Sequence, residues 1–220
     1  LDWLKESKSN VQFAMNSNLG IDKKTMHKLL DATKGIENFH LYTSNESIGE
    51  QAEYIRDGLE WEQWTSNMDL LLNEGNLKGL HVMCTVNALC LETLPEFLSW
   101  CLDKKEVYGK DFPNFTLNIL RFPSFQSPLI LPEDIKTMYK NNLQEWLDDT
   151  RDNPLLHEYE INHVQRLIDY LDVVKTPHSD TFEMPALLND FKKFYEQYDT
   201  RRGKNFTETF PTLTEWYKTL

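Results

Sequence analysis

The sequence predicts an α/β fold in which strands and helices alternate, followed by a helical tail. Three observations support this prediction. Short apolar runs recur along residues 11–120, helical patterns lie between them, and the residues beyond Pro123 show helical spacing alone. Strands that alternate with helices favour a mostly parallel sheet, whose strands all end at the same edge. In such folds, ligands bind at that edge.

The predicted strands and helices of the first part follow one another in order. The strands cover residues 11–15, 39–43, 80–86 and 115–120, and each stops at polar or turn-forming residues. Between the first two strands, Asp22 caps a helix with apolar residues at helical spacing. A second helix is predicted over 52–72, and a third over 94–102 with Pro95 in its first turn.

The second part begins after an extended, proline-containing connector at residues 122–128. Three helices are predicted there, over 133–147, 158–174 and 186–198, and Pro154, Pro177 and Pro185 separate them. We therefore divide the chain into residues 1–128, which form a partial barrel or small sheet, and residues 129–220, a helical C-terminal extension.

The composition excludes several classes of partner. The formal net charge is −12, and the negative field of such a protein repels phosphate groups. We therefore expect no nucleic acid and no anionic membrane surface as partner. No apolar stretch approaches the roughly 18 residues of a membrane span. Three cysteines, an odd number, suggest a reducing compartment, and we predict a cytoplasmic location.

No self-sufficient catalytic or metal motif is present. The sequence lacks G-x-G-x-x-G, P-loop, G-x-S-x-G and H-E-x-x-H patterns. Cys84, Cys90 and Cys101 are too widely spaced for a zinc or cluster signature, and we interpret them as buried packing residues. His157 and His163 lie six apart on a predicted helix, where they face different sides. We therefore predict no catalytic residue and no metal ligand in this chain.

Small polar side chains follow the first three predicted strands, at the edge where ligands are expected. The groups are Asn16, Ser17 and Asn18; Thr43, Ser44, Asn45 and Glu46; and Thr85 and Asn87. Such groups hold a ribose, an amino acid or a phosphate ester in a cleft, and the Glu46 carboxylate suits a diol or an ammonium group. The same residue types are also common in turns, so both interpretations stay open.

Arg56 lies near the start of the helix predicted after the second strand, and it has two interpretations. An arginine near the strand edge can bind a carboxylate through two parallel hydrogen bonds. Alternatively, it pairs within its own helix with Glu53 or Glu60, an interaction worth about 0.3 kcal/mol.

Five segments, in the same order, resemble those of radical S-adenosylmethionine proteins. The most specific is the run S-N-E-S-I-G-E-Q-A-E-Y-I-R-D-G at residues 44–58, with Trp61 after it. The others lie at 15–19, at 85–87 with 94–98, at 121–132, and at 198–206 with Phe210-Pro211. Together they cover nearly the whole chain, and they are most similar to the twitch-domain group common in marine bacterial and phage sequences.

The resemblance implies an enzyme larger than this chain. Family members hold an iron–sulfur cluster (4Fe–4S) through a C-x3-C-x2-C loop and cleave S-adenosylmethionine to a radical that abstracts hydrogen from a substrate, often a peptide. Neither that loop nor the family's Gly-Gly-Glu segment is present here, and the chain begins at Leu1. We therefore expect a fragment: strands three to six of a partial (β/α)6 TIM-like barrel plus the tail, inactive alone, whose partner is the missing N-terminal part of the same protein.

The resemblance also assigns roles to six residues at the strand ends. Ser44 matches a ribose-binding serine, and Glu46 stands where an acidic residue, usually Asp, is found. The remaining four face the cofactor or the substrate: Asn16, Asn18, Asn87 and Arg56. The alternative is a cluster-free α/β protein that binds a nucleotide or another small molecule at the same edge, and a third interpretation is an interaction module that uses the acidic tail.

An incomplete barrel also makes a structural prediction. Without its first strands, the sheet leaves one strand edge and half of the barrel interior open. We expect an apolar patch around Phe13 and Met15 at that edge.

Overall fold

The computed structural model describes residues 1–6, 10–173 and 183–220, and it has a mixed α/β fold. Its four strands form one parallel sheet whose spatial order is the chain order, β1-β2-β3-β4. The strands are Phe13–Asn16 (β1), Phe39–Thr43 (β2), Gly79–Val86 (β3) and Asn114–Ile119 (β4). Helices connect successive strands, so all four strands end at the same edge, as predicted.

The helices of the sheet region are Asp2–Glu6 (α1), Lys23–Thr33 (α2), Gly49–Ile55 (α3), Trp61–Glu74 (α4) and Leu94–Tyr108 (α5). The tail contributes Glu133–Thr150 (α6), Glu158–Leu171 (α7), Met184–Arg202 (α8), Phe206–Thr209 (α9) and Thr214–Thr219 (α10). Short 3-10 turns lie at Ser124–Gln126, Pro128–Ile130 and Pro211–Leu213.

The predicted strands and helices are confirmed except for one helix. The connector predicted as extended over 122–128 instead contains the 3-10 turn Ser124–Gln126 and the start of Pro128–Ile130. The strands agree to within two residues, and the tail helices predicted over 133–147 and 186–198 run a few residues longer. The single helix predicted over 52–72 is wrong, because the chain turns at Gly58 and forms α3 and α4 instead. Gly58 has a φ of 85°, a conformation that glycine adopts without strain. Helix α7 ends at Leu171, before the predicted end at Val174, and Val174 and Pro177 themselves lie outside the described residues.

The two faces of the sheet differ in polarity. One face carries fully buried apolar side chains such as Leu41, Val82 and Phe115, which form the core with the helices. The opposite face carries half-buried or exposed side chains that are mostly polar: His40, Tyr42, His81, Met83, Thr85, Thr116 and Asn118. Phe13 and Met15 pack partly buried against the core. The open face is therefore mostly polar, and Phe13 and Met15, around which the sequence predicts an apolar patch, lie on the core side of the sheet.

Helix α7 covers the outer edge of β4. Three of its side chains, spaced by one turn, bond main-chain groups that point away from β3. Glu160 Oε1 accepts from Phe115 N at 2.9 Å, and Arg166 Nη2 donates to Leu117 O at 2.5 Å. His163 Nδ1 accepts from Leu117 N at 3.0 Å. The edge that would otherwise be free for strand pairing is thereby closed.

A buried ion pair fixes α7 to α5 and β4. Lys105 Nζ and Glu160 Oε2 are 3.0 Å apart, and both side chains are 0% exposed. Lys105 also donates to Lys110 O and to Asn114 Oδ1, so all three of its protons are bonded. Burial lowers the pKa of Lys105, and the Glu160 carboxylate opposes that shift. Tail and sheet share one apolar core, and the division at residue 128 stays a prediction.

We predict that Glu160→Ala destabilises the protein by about 3–5 kcal/mol, because it leaves the Lys105 ammonium buried without its counter-charge. Urea unfolding followed by tryptophan fluorescence measures the loss. Glu158→Ala, an exposed residue in the same helical turn, is the matched control and should cost less than about 1 kcal/mol. Equal losses for the two variants would contradict the role of the buried pair.

Candidate functional site

A cavity of about 320 Å³ lies at the C-terminal ends of β2, β3 and β4. Its walls come from four places in the chain: the strand ends, the 3-10 turn after β4, the end of α3, and one face of α8. The lining residues are Glu46, Thr85, Asn87, Leu120 and Gln126; Tyr54, Ile55 and Arg56; and Phe194, Tyr195 and Tyr198. The tail therefore supplies one wall of a cavity whose floor is the predicted ligand-binding edge of the sheet.

The centre of the cavity is an ion pair between Glu46 and Arg56. Glu46 follows β2 and is 2% exposed, whereas Arg56 ends α3 and is 27% exposed. Arg56 Nη2 donates to Glu46 Oε2 at 2.5 Å, and the main-chain N–H of Thr85 donates to the same oxygen at 3.1 Å. Arg56 is thus directed to the strand edge, and the intrahelical pair with Glu53 or Glu60 does not form.

Both residues of this ion pair keep polar atoms without a hydrogen-bond partner among the described residues. Both hydrogen bonds end on Glu46 Oε2, and within the described residues Glu46 Oε1 accepts none. The Arg56 guanidinium likewise uses only Nη2, and its buried Nε has no partner in the described part of the chain. The pair therefore keeps one carboxylate oxygen of Glu46 and two guanidinium nitrogens of Arg56, the buried Nε and Nη1, that bond no described residue.

The charge state of Glu46 follows from its surroundings. Burial raises the pKa of the Glu46 carboxyl, while the Arg56 charge and the hydrogen bonds from Arg56 and Thr85 act in the opposite direction. A carboxyl with a raised pKa holds its proton to a higher pH than an exposed one. A cationic group placed beside Glu46 would favour the ionised form.

Polar contacts hold the aromatic wall of α8 against α3. Tyr54 Oη donates to Asp199 Oδ1 at 2.6 Å, and Tyr198 Oη donates to Tyr54 O at 2.6 Å. Asp199 Oδ2 also accepts from Phe206 N at 2.8 Å, which ties α9 to the same point. We call this set of contacts the α3–α8 latch. It fixes the positions of Tyr195 and Tyr198, which face the cavity.

The structure brings three of the six predicted site residues together. Glu46, Arg56 and Asn87 line the cavity, although the Asn87 side chain also bonds locally to Leu89 N at 2.8 Å. Ser44 is half-buried after β2, and it is not among the residues that line the cavity.

The two asparagines predicted at the end of β1 lie outside this cavity. Asn16 is exposed at the end of β1, and Asn18 is exposed and accepts from Gly20 N at 3.1 Å in a turn. Asn18 thus fits the turn-forming interpretation.

Sequence reasoning missed the aromatic wall. Aromatic residues at helical spacing usually pack in a core, so spacing alone does not single out Tyr54 or the α8 residues Phe194, Tyr195 and Tyr198. The available signal was the tail motif at residues 198–206, whose Asp199 bonds Tyr54 across 145 positions of sequence.

The cysteines form no ligand set in the described residues. Cys84, Cys90 and Cys101 are all fully buried, and burial raises the pKa of each thiol. Among residues 1–6, 10–173 and 183–220, no group of three or more His, Cys, Asp and Glu side chains is arranged to hold a metal ion.

Comparison of the chain with protein-family models, with curated proteins and with solved structures gives no match. Across the described residues, no helix is both long enough and apolar enough to cross a lipid bilayer. The chemistry of the site is therefore inferred from its own residues.

We predict that Arg56→Met destabilises the protein more at pH 8 than at pH 5. Without Arg56, the pKa of Glu46 rises further, so at pH 5 the carboxyl takes up a proton and its burial costs little. At pH 8 the ionised form is buried unpaired, which costs about 2–3 kcal/mol, less than for a fully buried pair because Arg56 is 27% exposed.

Urea unfolding at the two pH values measures this difference. Arg151→Met is the matched control, because Arg151 pairs with Asp148 on the surface at 3.4 Å. The control should change stability by about 0–1 kcal/mol at either pH. An Arg56→Met loss that does not depend on pH would show that Glu46 stays in one protonation state.

Proposed function

We propose that the cavity binds the α-amino acid group of a small organic ligand. The observation that carries this proposal is the half-satisfied pair of Glu46 and Arg56. An ammonium group donates to a carboxylate oxygen such as Glu46 Oε1, and a carboxylate accepts from a guanidinium such as that of Arg56. One zwitterion therefore satisfies both groups.

S-adenosylmethionine is the first candidate ligand, because the sequence resembles radical S-adenosylmethionine proteins. Its amino acid end suits Glu46 and Arg56, and its adenine is a planar group suited to the rings of Phe194 and Tyr198. A cavity of about 320 Å³ falls within the usual range for small-molecule sites. In this proposal the chain supplies strands three to six of a partial (β/α)6 barrel in such an enzyme.

The iron–sulfur cluster does not fit this chain. Its ligands are thiolates, and the three cysteines here are buried thiols on separate elements with raised pKa values. In our proposal the cluster belongs to the N-terminal part of the same protein and supplies the electron for S-adenosylmethionine cleavage. The chain described here binds and orients ligand. Its substrate, whether peptide or not, and its cytoplasmic location stay predictions.

The open edge of β1 supports the proposal that further strands pair with this sheet. Phe13 N and Ser17 N donate to main-chain oxygens on the β2 side of the strand. Because parallel strands alternate, the N–H groups of Ala14 and Asn16 point to the other side, where the described residues place no strand. We propose that further strands of the same protein pair there.

A specific observation favours the alternative, a cluster-free binding protein. The open face of the sheet is mostly polar, with His40, Tyr42 and Thr85 among its side chains. Contact with water costs a polar face much less than an apolar one, so the composition of this face is compatible with a sheet that no further strands cover.

Hydrogen exchange distinguishes these two candidates. We predict that the Ala14 and Asn16 amides exchange rapidly in this chain alone and become protected when the chain is produced with the segment that precedes Leu1 in its reading frame. Met15, whose N–H faces β2, serves as the internal control and should be protected in both. Unchanged exchange at Ala14 and Asn16 in the longer protein would favour the cluster-free alternative.

Calorimetry tests the ligand class. We predict that S-adenosylhomocysteine binds more tightly than 5′-methylthioadenosine, because the two share the thioether and adenosine and differ in the amino acid group. Glu46→Gln should weaken S-adenosylhomocysteine binding by about tenfold or more, since a hydrogen bond to a charged group is worth about 1.5–3 kcal/mol. Its effect on 5′-methylthioadenosine should be small.

Glu50→Gln is the matched control, because Glu50 is exposed in the first turn of α3. It should leave both affinities unchanged. Equal affinity of the two ligands for the unmodified chain, or an equal response of Glu46→Gln and Glu50→Gln, would contradict recognition of an amino acid group by Glu46.

A further inference from the structure

A second cavity, of about 370 Å³, adjoins the site along α8. We call it the outer cavity and the site described above the inner cavity. The lining side chains of the outer cavity lie on one face of α8: Phe194, Gln197, Tyr198, Arg201 and Arg202. Phe194 and Tyr198 line both cavities, so two aromatic rings, parallel to within 22° and 6.0 Å apart, stand between them.

The described walls of the outer cavity are basic, whereas the chain as a whole is acidic. The protein has 35 acidic against 23 basic residues, yet the described side chains that line this cavity include two guanidinium groups and an amide, and no carboxylate. The cavity beside α2 and α4 is different, because Asp31, Lys34 and Glu74 give it both signs.

The two arginines are not equivalent. Arg202 Nη1 lies 2.7 Å from Asp57 Oδ2, so this guanidinium helps to hold α8 beside α3. Arg201 is exposed, and none of the described residues pairs with it. The negative end of the helix dipole favours basic residues in the last turn of α8. The helix dipole thus explains why basic residues lie at the end of α8. It does not explain why a cavity lies beside them, or why the described walls of that cavity carry no acidic side chain.

We propose that the outer cavity binds an anionic group, a carboxylate or a phosphate, on the molecule that reacts with or extends from the ligand of the inner cavity. This role rests on the proposed function of the inner cavity, but binding of an anion at Arg201 does not. The guanidinium of Arg201 donates two parallel hydrogen bonds to such a group, and the Gln197 amide supplies a further donor. Phe194 and Tyr198 then contact the apolar part of the same molecule.

In this proposal a zwitterionic group lies toward Glu46 in the inner cavity, and an anion lies toward Arg201 in the outer cavity. A net charge of −12 repels anions from most of the surface. An unpaired guanidinium beside the cavity mouth counteracts that repulsion locally and selects against ligands whose distal end is cationic.

A titration followed by ¹⁵N–¹H correlation spectra tests the proposal on the full chain. The probes are inorganic phosphate and succinate, each added at constant ionic strength because surface electrostatics depend on salt. We expect saturable shifts of the Gln197, Tyr198 and Arg201 amides with at least one probe, and the probe that binds shows whether the anion is a phosphate or a carboxylate. Arg201→Gln should weaken that binding at least fivefold.

Two control variants separate this site from others. Arg151→Gln removes another exposed arginine, directly after the end of α6, and should leave the affinity for the anion unchanged. Glu46→Gln should also leave it unchanged, while it weakens S-adenosylhomocysteine binding. Absence of saturable shifts on α8 with both probes, or an Arg201→Gln affinity equal to that of the unmodified chain, overturns the anion site.

The two proposals fail separately. If S-adenosylhomocysteine does not bind but phosphate or succinate binds at Arg201, the proposed function is wrong and the anion site stands. If S-adenosylhomocysteine binds through Glu46 and Arg201→Gln changes no anion affinity, the anion site is wrong and the proposed function stands.

Discussion

One buried carboxylate joins the two parts of this protein. Glu160 accepts from the Lys105 ammonium, from the Phe115 amide of β4 and from the His157 amide at the start of α7. Burying a carboxylate is costly unless its oxygens are bonded, and here three donors from three elements bond them. The result is a helix fixed along the outer edge of the sheet. The tail is therefore part of the same core, and its helix α8 can form a wall over the strand ends.

In the candidate site, by contrast, the buried carboxylate is only partly hydrogen-bonded. Glu46 is almost as buried as Glu160, but its hydrogen bonds end on one oxygen, and Arg56 is satisfied only in part. A half-satisfied buried pair destabilises a fold unless something else completes it, and such pairs concentrate at functional sites. The α3–α8 latch holds the surrounding wall in place through Tyr54 and Asp199. The site is thus preorganised on rigid elements, with the unsatisfied groups left for a ligand.

The sequence predicted the sheet well because its signal is local. Each strand is a short apolar run ended by polar residues, and β2 matches its predicted range. The break between α3 and α4 was missed because the apolar spacing continues across Gly58, where the positive φ makes the turn. Whether the sheet belongs to a barrel is not a local property, and the described residues show four parallel strands.

The site was predictable only where it depends on strand ends. Polar residues after parallel strands must meet at one edge, and this placed Glu46 and Asn87 correctly near each other. The same rule does not tell which strand ends a later helix covers, so Asn16 and Asn18 on the outermost strand were included although they lie outside the cavity. Helix α8 reaches the site through Asp199, which bonds Tyr54 across 145 positions of sequence, and no local pattern predicts that contact.

A crystal structure of this chain with S-adenosylhomocysteine tests the central claim most directly. Our account predicts the ligand in the inner cavity, with its ammonium nitrogen within hydrogen-bonding distance of Glu46 Oε1 and its carboxylate bonded to Arg56. A ligand bound elsewhere, or bound in the cavity with its amino acid group directed away from Glu46 and Arg56, would contradict it.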